Sequence, residues 1–228
     1  LLARALKAQP GDVPALCLLG FSHMLDAWAD WSGDVDGSVA EAQKWAERAT
    51  QVAPNDGWAH FTLGMCQSTP DRLEEAKARM AHACTLAPSL VIAVGELARH
   101  HVFLGEPEPA LELAAEALAR SPYDQQSGLW IRTQSFAHWL KGELETALEL
   151  VEFALVVRPA WFQNHLLKAA ILAEMGETDR AAHAYAGGRA RIGRYSLKAL
   201  RLGHPFKDEG LFRRFVEGLN KAGAGYGS

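Results

Sequence analysis

Nine histidines and three cysteines are the first candidates for metal binding or acid–base catalysis in this chain of 228 residues. A metal needs side chains that converge on one point, and these do not. Cys17, Cys66 and Cys84 show no CxxC spacing, and each falls inside a predicted helix, where cysteine behaves as a small buried hydrophobe. His100 and His101 are adjacent, so on a helix they point about 100° apart instead of chelating. The loop Asp34-Val-Asp36-Gly37 invites a calcium reading, which fails: with Gly37 as the loop glycine, Ser32 and Gln43 stand where Asp and Glu are needed. There is no nucleophile motif, no glycine-rich phosphate loop and no alternating strand pattern. Glu74-Glu75, Glu143 and Glu145 fall on predicted exposed faces. No catalytic residue, metal or cofactor is therefore expected.

Charge is unevenly placed. Residues 180–221 carry ten Lys or Arg against three acids, a balance of +7; since the whole chain is −4, the remainder carries −11. The basic residues Arg189, Arg191, Arg194, Lys198 and Arg201 form a tail that can dock on the acidic part of its own chain or on a second copy. They lack the aromatic interleaving or recognition-helix layout of a nucleic-acid binder. No run approaches the length of a membrane span. The cysteine usage fits a reducing cytoplasm. The chain starts without Met and with half a structural unit, which reads as a piece of a longer protein.

The elements that must position any site come in copies. The stretch Asn55–Pro88 reads as two helices, with Trp58, Phe61, Leu63 and Met65 on the first and Ala76, Met80, Ala83 and Leu86 on one face of the second. Thr69 and Pro70 sit where a helix start is capped. Small residues then recur at spacings of five, seven and five: Gly37, Ala42, Ala49, Pro54; Gly105, Ala110, Ala117, Pro122; Gly142, Ala147, Ala154, Pro159. Asp71, Ala76, Ala83 and Pro88 keep the spacing without the glycine. Gly176 and Ala181 begin a further copy that ends in Gly188 and Gly193. The glycine suits a left-handed turn after the first helix. The alanines let a neighbouring helix approach, and the proline ends the second helix. Ser38 and Glu41 have capping-box spacing.

This pattern resembles the tetratricopeptide repeat (TPR), a helix–turn–helix of about 34 residues. The intervals Pro54–Pro88 and Pro88–Pro122 are both 34, and Leu19-Gly20 and Leu63-Gly64 match the family's Leu-Gly pair. The resemblance implies an all-α superhelix over residues 1–193. A partial repeat, 1–10, precedes repeats at about 11–54, 55–88, 89–122, 123–159 and 160–193. The surplus of the first long interval is expected in its first helix. His23, His101 and His138 occupy a scaffold position where the family commonly carries an aromatic. Residues 194–223 are expected to cap the solenoid, with Leu211–Leu219 on one face of a last helix, and 224–228 to be disordered.

Such a fold binds through the concave surface of its first helices. By repeat register that surface holds Phe21, Met24, Trp58, Phe61, Met65, Ile92, Arg99, Val102, Arg132, Phe136 and Trp139. An apolar groove of this kind suits a helix or hydrophobic segment, and the chain's own last helix is one candidate. Asparagines are too few for the family's clamp on acidic chaperone C-termini. The run Arg194-Tyr-Ser-Leu-Lys-Ala-Leu-Arg201, with Pro205-Phe-Lys-Asp208, Leu211, Phe215 and Gly218–Gly223, resembles the closing segment of bacterial class III adenylate/guanylate cyclases that carry a TPR region. That implies a non-enzymatic regulatory module beside a cyclase domain, binding a protein partner or a second copy. The alternative is a scaffold module of a transcriptional regulator or other signalling protein.

Overall fold

The computed structural model describes residues 2–192 and 195–226. Gly193 and Arg194, the latter one of the five basic tail positions, lie outside the described residues. After α1 (Leu2–Ala8), helices pair in hairpins: α2 (Val13–Ala29) with α3 (Val35–Val52), α4 (Gly57–Cys66) with α5 (Leu73–Leu86), and α6 (Val91–Leu104) with α7 (Pro107–Arg120). Then α8 (Ser127–Lys141) pairs with α9 (Leu144–Val157), and α10 (Phe162–Glu174) with α11 (Thr178–Ile192). Two more helices, α12 (Leu197–Gly203) and α13 (Glu209–Lys221), follow. No strand occurs among the described residues.

The repeated residues do the work their spacing implies. Ala42, Ala49, Ala76, Ala83, Ala110, Ala117, Ala147 and Ala154 are all completely buried, so a larger side chain would push neighbouring helices apart. Helices α1, α3, α5, α7 and α9 each end two residues before a proline. Gly105, Gly142 and Gly176 close their hairpins at φ of 79° to 81°, in the left-handed region where a Cβ is strained. In the last hairpin Gly188 replaces alanine, because a Cβ there would lie 3.0 Å from the Cβ of His165 on α10.

Gly37 departs from this scheme. It is the third residue of α3, its N–H donates to Oδ1 of the N-cap Asp34 at 2.9 Å, and the left-handed turn is made by Asp30 and Gly33 instead. Ser38 is accordingly no cap; its hydroxyl donates to the Asp26 carboxylate from within the helix. The surplus residues of the first long interval are shared between α2, of 17 residues, and α3, of 18, and are not confined to the first helix. Similarly, Thr69 makes no side-chain cap, and a 3-10 turn, Pro70–Arg72, leads into α5.

The C-terminal segment folds back onto the concave face. α13 lies against α10 so closely that a Cβ on Gly218 would be 3.0 Å from the Ala170 backbone. Phe206 and Phe215, both completely buried, enter an aromatic cluster with Phe103, Phe136 and Trp139 at ring separations of 5.0 to 6.3 Å. The backbone N–H of Lys207 donates to the Phe103 carbonyl at 2.9 Å. Charge follows the same course. Arg214 grips Glu174 at 2.6 Å and stacks 4.1 Å from the Trp139 ring, Lys207 reaches Glu74 at 3.0 Å, and Lys198 pairs with Asp36. The basic segment thus meets acids of its own solenoid. Arg201 pairs with Glu209 and stacks on Phe212, within the segment, while Arg191 donates to the Gly187 carbonyl of its own helix. Most of these ion pairs are exposed and contribute little, so the aromatic burial is what fastens the segment. Beyond α13, Ala224 and Tyr226 pack on the core and Tyr226 exchanges two hydrogen bonds with Asn220, against the expectation of disorder there. Residues 227 and 228 lie outside the described residues.

His204 sits inside this cluster, 4.7 Å from Phe215, with Nδ1–H donating to the Leu200 carbonyl and Nε2 buried without a partner. Burial, reinforced by Arg132, pulls its pKa down to about 3. A folded-state pKa below the unfolded value means that the unfolded chain binds more protons between about pH 6.5 and 3, so stability falls as pH drops through that window. His204→Phe should therefore leave the melting temperature near pH 7 within a few degrees of the parent and flatten its decline towards pH 4. A melting curve taken across that range reads the slope directly.

Candidate interaction groove

The first helices of the hairpins, α2, α4, α6, α8 and α10, line the concave face, and the C-terminal segment covers the last turns of α2, α6 and α8 and lies along α10. Along the first turns of α2 and α4 the face stays open as an apolar trough of about 410 Å³. Val13, Pro14, Cys17, Leu18 and Phe21 of α2 form one wall and Trp58, Phe61 and Thr62 of α4 the other, with Ile92 of α6 and Gln126 at the far end. Trp58 meets Phe61 edge-on at 5.5 Å, and Phe21 lies 6.5 Å from Phe61. Half of the Trp58 surface and 53% of Leu18 remain exposed, large apolar areas that face no other part of the protein.

A smaller recess of about 170 Å³ adjoins the trough and shares Phe21, Phe61, Ile92 and Gln126 with it. Its polar lining is Glu96 and Arg99 of α6, Gln126, Arg132 of α8, Arg158, and Gln163 of α10. Arg99 donates to Glu96 at 2.5 Å, and its guanidinium lies 5.6 Å from the Trp28 ring and 5.2 Å from that of Phe103. Arg158 donates to Gln126 at 2.9 Å and stacks 4.8 Å from Trp161. Arg132 donates to the side-chain oxygen of Gln163. Desolvation, with Arg99 nearby, pulls its pKa down to about 9.

The residues proposed from sequence divide into three groups. Phe21, Trp58, Phe61 and Ile92 come together around the trough, and Met65, Arg99 and Arg132 line the recess. Met24, Val102, Phe136 and Trp139 are enclosed and line neither cavity. Of these, Phe136 and Trp139 would face the groove but for Phe206 and Phe215. Leu18, Glu96, Gln126, Arg158 and Gln163 escaped the sequence reading. Glu96 was within reach of it, being three residues before Arg99 on one helix face. Arg158 was not, because the equivalent cap positions, Ala53, Ala87 and Ser121, carry no charge and lie outside the first helices.

Most of the histidines make contacts within the scaffold. His60 and His165, each six residues after a proline, contact that proline's carbonyl at 2.8 and 3.2 Å. His101 pairs with Glu106 and His138 with Glu143 across the hairpin glycines. His100 is completely buried between the Glu96 carbonyl and the Ser68 hydroxyl. No group of three metal-ligating side chains converges among the described residues.

No family model and no curated protein matches this chain by sequence. Solved structures do match. A chain of the APC/C hetero-tetramer Cut9–Hcn1 superimposes with a TM-score of 0.69 at 15% identity, over 97% of this chain and 41% of that one. A thermophilic TPR protein of Thermus thermophilus gives 0.62 at 19% identity, covering 81% of this chain and 92% of that one. A tetratricopeptide repeat protein of Parabacteroides merdae gives 0.58 at 14% identity, over 100% and 85%. The fold is that of the tetratricopeptide repeat. At such identities the likeness carries the architecture and not a ligand. No helix of this TPR solenoid, among the described residues, is long and apolar enough to cross a membrane.

Proposed function

We propose that this chain is a non-catalytic interaction module that holds a helical, hydrophobic protein segment in the trough between α2, α4 and α6. One observation carries the reading: the chain's own C-terminal segment, with α13, covers one part of the concave face, while the part lined by the first turns of α2 and α4 keeps the same apolar character with half of Trp58 exposed. A helix satisfies its own backbone hydrogen bonds, so it can enter an apolar groove without the cost of unpaired amides. The seated α13 is a helix of that kind, with Phe215 and Leu219 completely buried.

In the finer reading the module regulates an adenylate/guanylate cyclase of the cytoplasm. What supports it is the resemblance of residues 194–223 to the closing segment of such enzymes, together with three free thiols. Active sites in that class form between two chains, so a partner or a second copy seated in the trough would bias their pairing. The test is made in the full-length protein that contains this chain. Deleting residues 1–228 should alter cyclase activity or its regulation, and Trp58→Ser should alter regulation, with the stability cost of the half-buried ring, about 1–3 kcal/mol, read separately by its melting curve. An enzyme indifferent to both changes counts against the regulatory reading.

A further inference from the structure

The recess beside the trough holds more positive charge than the protein neutralises. Three arginines face it, and among the described residues Glu96 is the one carboxylate that lines it. Glu96 belongs to Arg99, at 2.5 Å. Arg132 is only 5% exposed, yet its hydrogen-bond acceptor is the neutral amide of Gln163, and among the described residues no carboxylate pairs with it. Arg158 likewise donates to an amide, that of Gln126. A buried guanidinium without a counter-charge costs free energy, and one that lines a cavity marks a place where a ligand's charge can supply it.

We propose that trough and recess together bind a small carboxylic acid with an apolar chain, its carboxylate on Arg132 and Arg158 and its chain against Phe21, Trp58 and Phe61. The two cavities adjoin, at about 410 and 170 Å³, and so fall within the usual size of a small-molecule site. An extended peptide is the poorer fit, because the trough offers few polar groups and each already makes a hydrogen bond within the chain. Asp56 caps α4 through the Ala59 N–H, the Thr62 hydroxyl donates to the Trp58 carbonyl, and the Gln126 oxygen is held by Arg158. Most peptide amides laid there would go unpaired, whereas an alkyl chain has none. This goes beyond the interaction reading. An acid bound in this way occupies the space assigned to the partner segment, so the two would compete.

Titration calorimetry of the full chain with octanoate tests it, with 1-octanol and octylammonium as neutral and cationic counterparts. One-to-one binding of octanoate is expected, with the alcohol and the amine weaker by roughly tenfold or more, the scale of a lost charge-assisted hydrogen bond. Arg132→Met should weaken octanoate by a similar factor. Because Arg132 is buried, Arg158→Gln, at a half-buried position, provides a second reading should the first variant fold poorly. Absence of octanoate binding, equal binding of octanoate and octanol, or affinity unchanged in Arg158→Gln would each overturn the proposal. None of these results touches the Trp58 experiment in the full-length protein, so the two readings fail separately.

Discussion

Phe215→Ala is expected to lower the free energy of unfolding by about 3–5 kcal/mol. The ring is completely buried and touches Phe136, Trp139, His204 and Phe206. Its loss removes apolar burial and leaves a cavity that the fixed helices α8 and α10 cannot close. The loss should also spread. Once α13 is loosened, the inner surfaces of Phe103, Phe136 and Trp139 meet water, and a hydrophobic dye should bind the variant before global unfolding. Arg213→Ala, an exposed change on the same helix, supplies the comparison and should stay within about 0.5 kcal/mol of the parent. Denaturant titration of the three proteins decides the matter. A Phe215→Ala chain as stable as Arg213→Ala would mean that α13 does not sit on the solenoid.

Glu96→Gln should be nearly as damaging, for an electrostatic reason. Glu96 and Arg99 form an ion pair at 2.5 Å with side chains under 10% exposed, and Arg132 brings a second positive charge to the same recess. Removing the carboxylate strands Arg99 beside Arg132 with no counter-charge, a change that typically costs about 3–5 kcal/mol. The pair as a whole is worth far less than that figure, because both ions give up hydration to be buried. Replacing both, as Glu96→Leu with Arg99→Met, should therefore recover most of the loss. Chemical unfolding of the single and double variants makes the cycle. If Glu96→Gln proves neutral, the recess is wetter than its burial implies, and the desolvation argument for Arg132 weakens with it.

Much of this molecule was legible from spacing alone, since a solenoid is built from contacts between neighbours in sequence. Ala76 and Ala83 had to share one face because they lie seven apart on a helix, and both are completely buried. Gly105 and Gly142 had to turn the chain, and both have positive φ. Gly37 shows the limit of that logic: it has the right spacing, but Asp34 caps the helix earlier and the turn moves to Asp30 and Gly33. Local pattern could not see the competition between two possible helix starts.

The site was legible only in part. Repeat register placed Phe21, Trp58, Phe61, Arg99 and Arg132 on the concave face, because register is a local property. It could not say which of those positions stay open, since that depends on where residues 195–226 go. Phe206 meets Phe103 from about a hundred positions away in the chain, and Lys207 meets Glu74 from farther still. The sequence by itself determined the helices, their pairing and the split into an acidic solenoid and a basic C-terminal segment. Only the tertiary structure decided that the basic segment closes back on its own solenoid, that Phe136 and Trp139 become core, and that an apolar trough with an arginine recess stays open. The physical reason is that helix and hairpin formation are settled by neighbours within one repeat, whereas the occupancy of a groove is settled by competition for apolar surface across the whole chain.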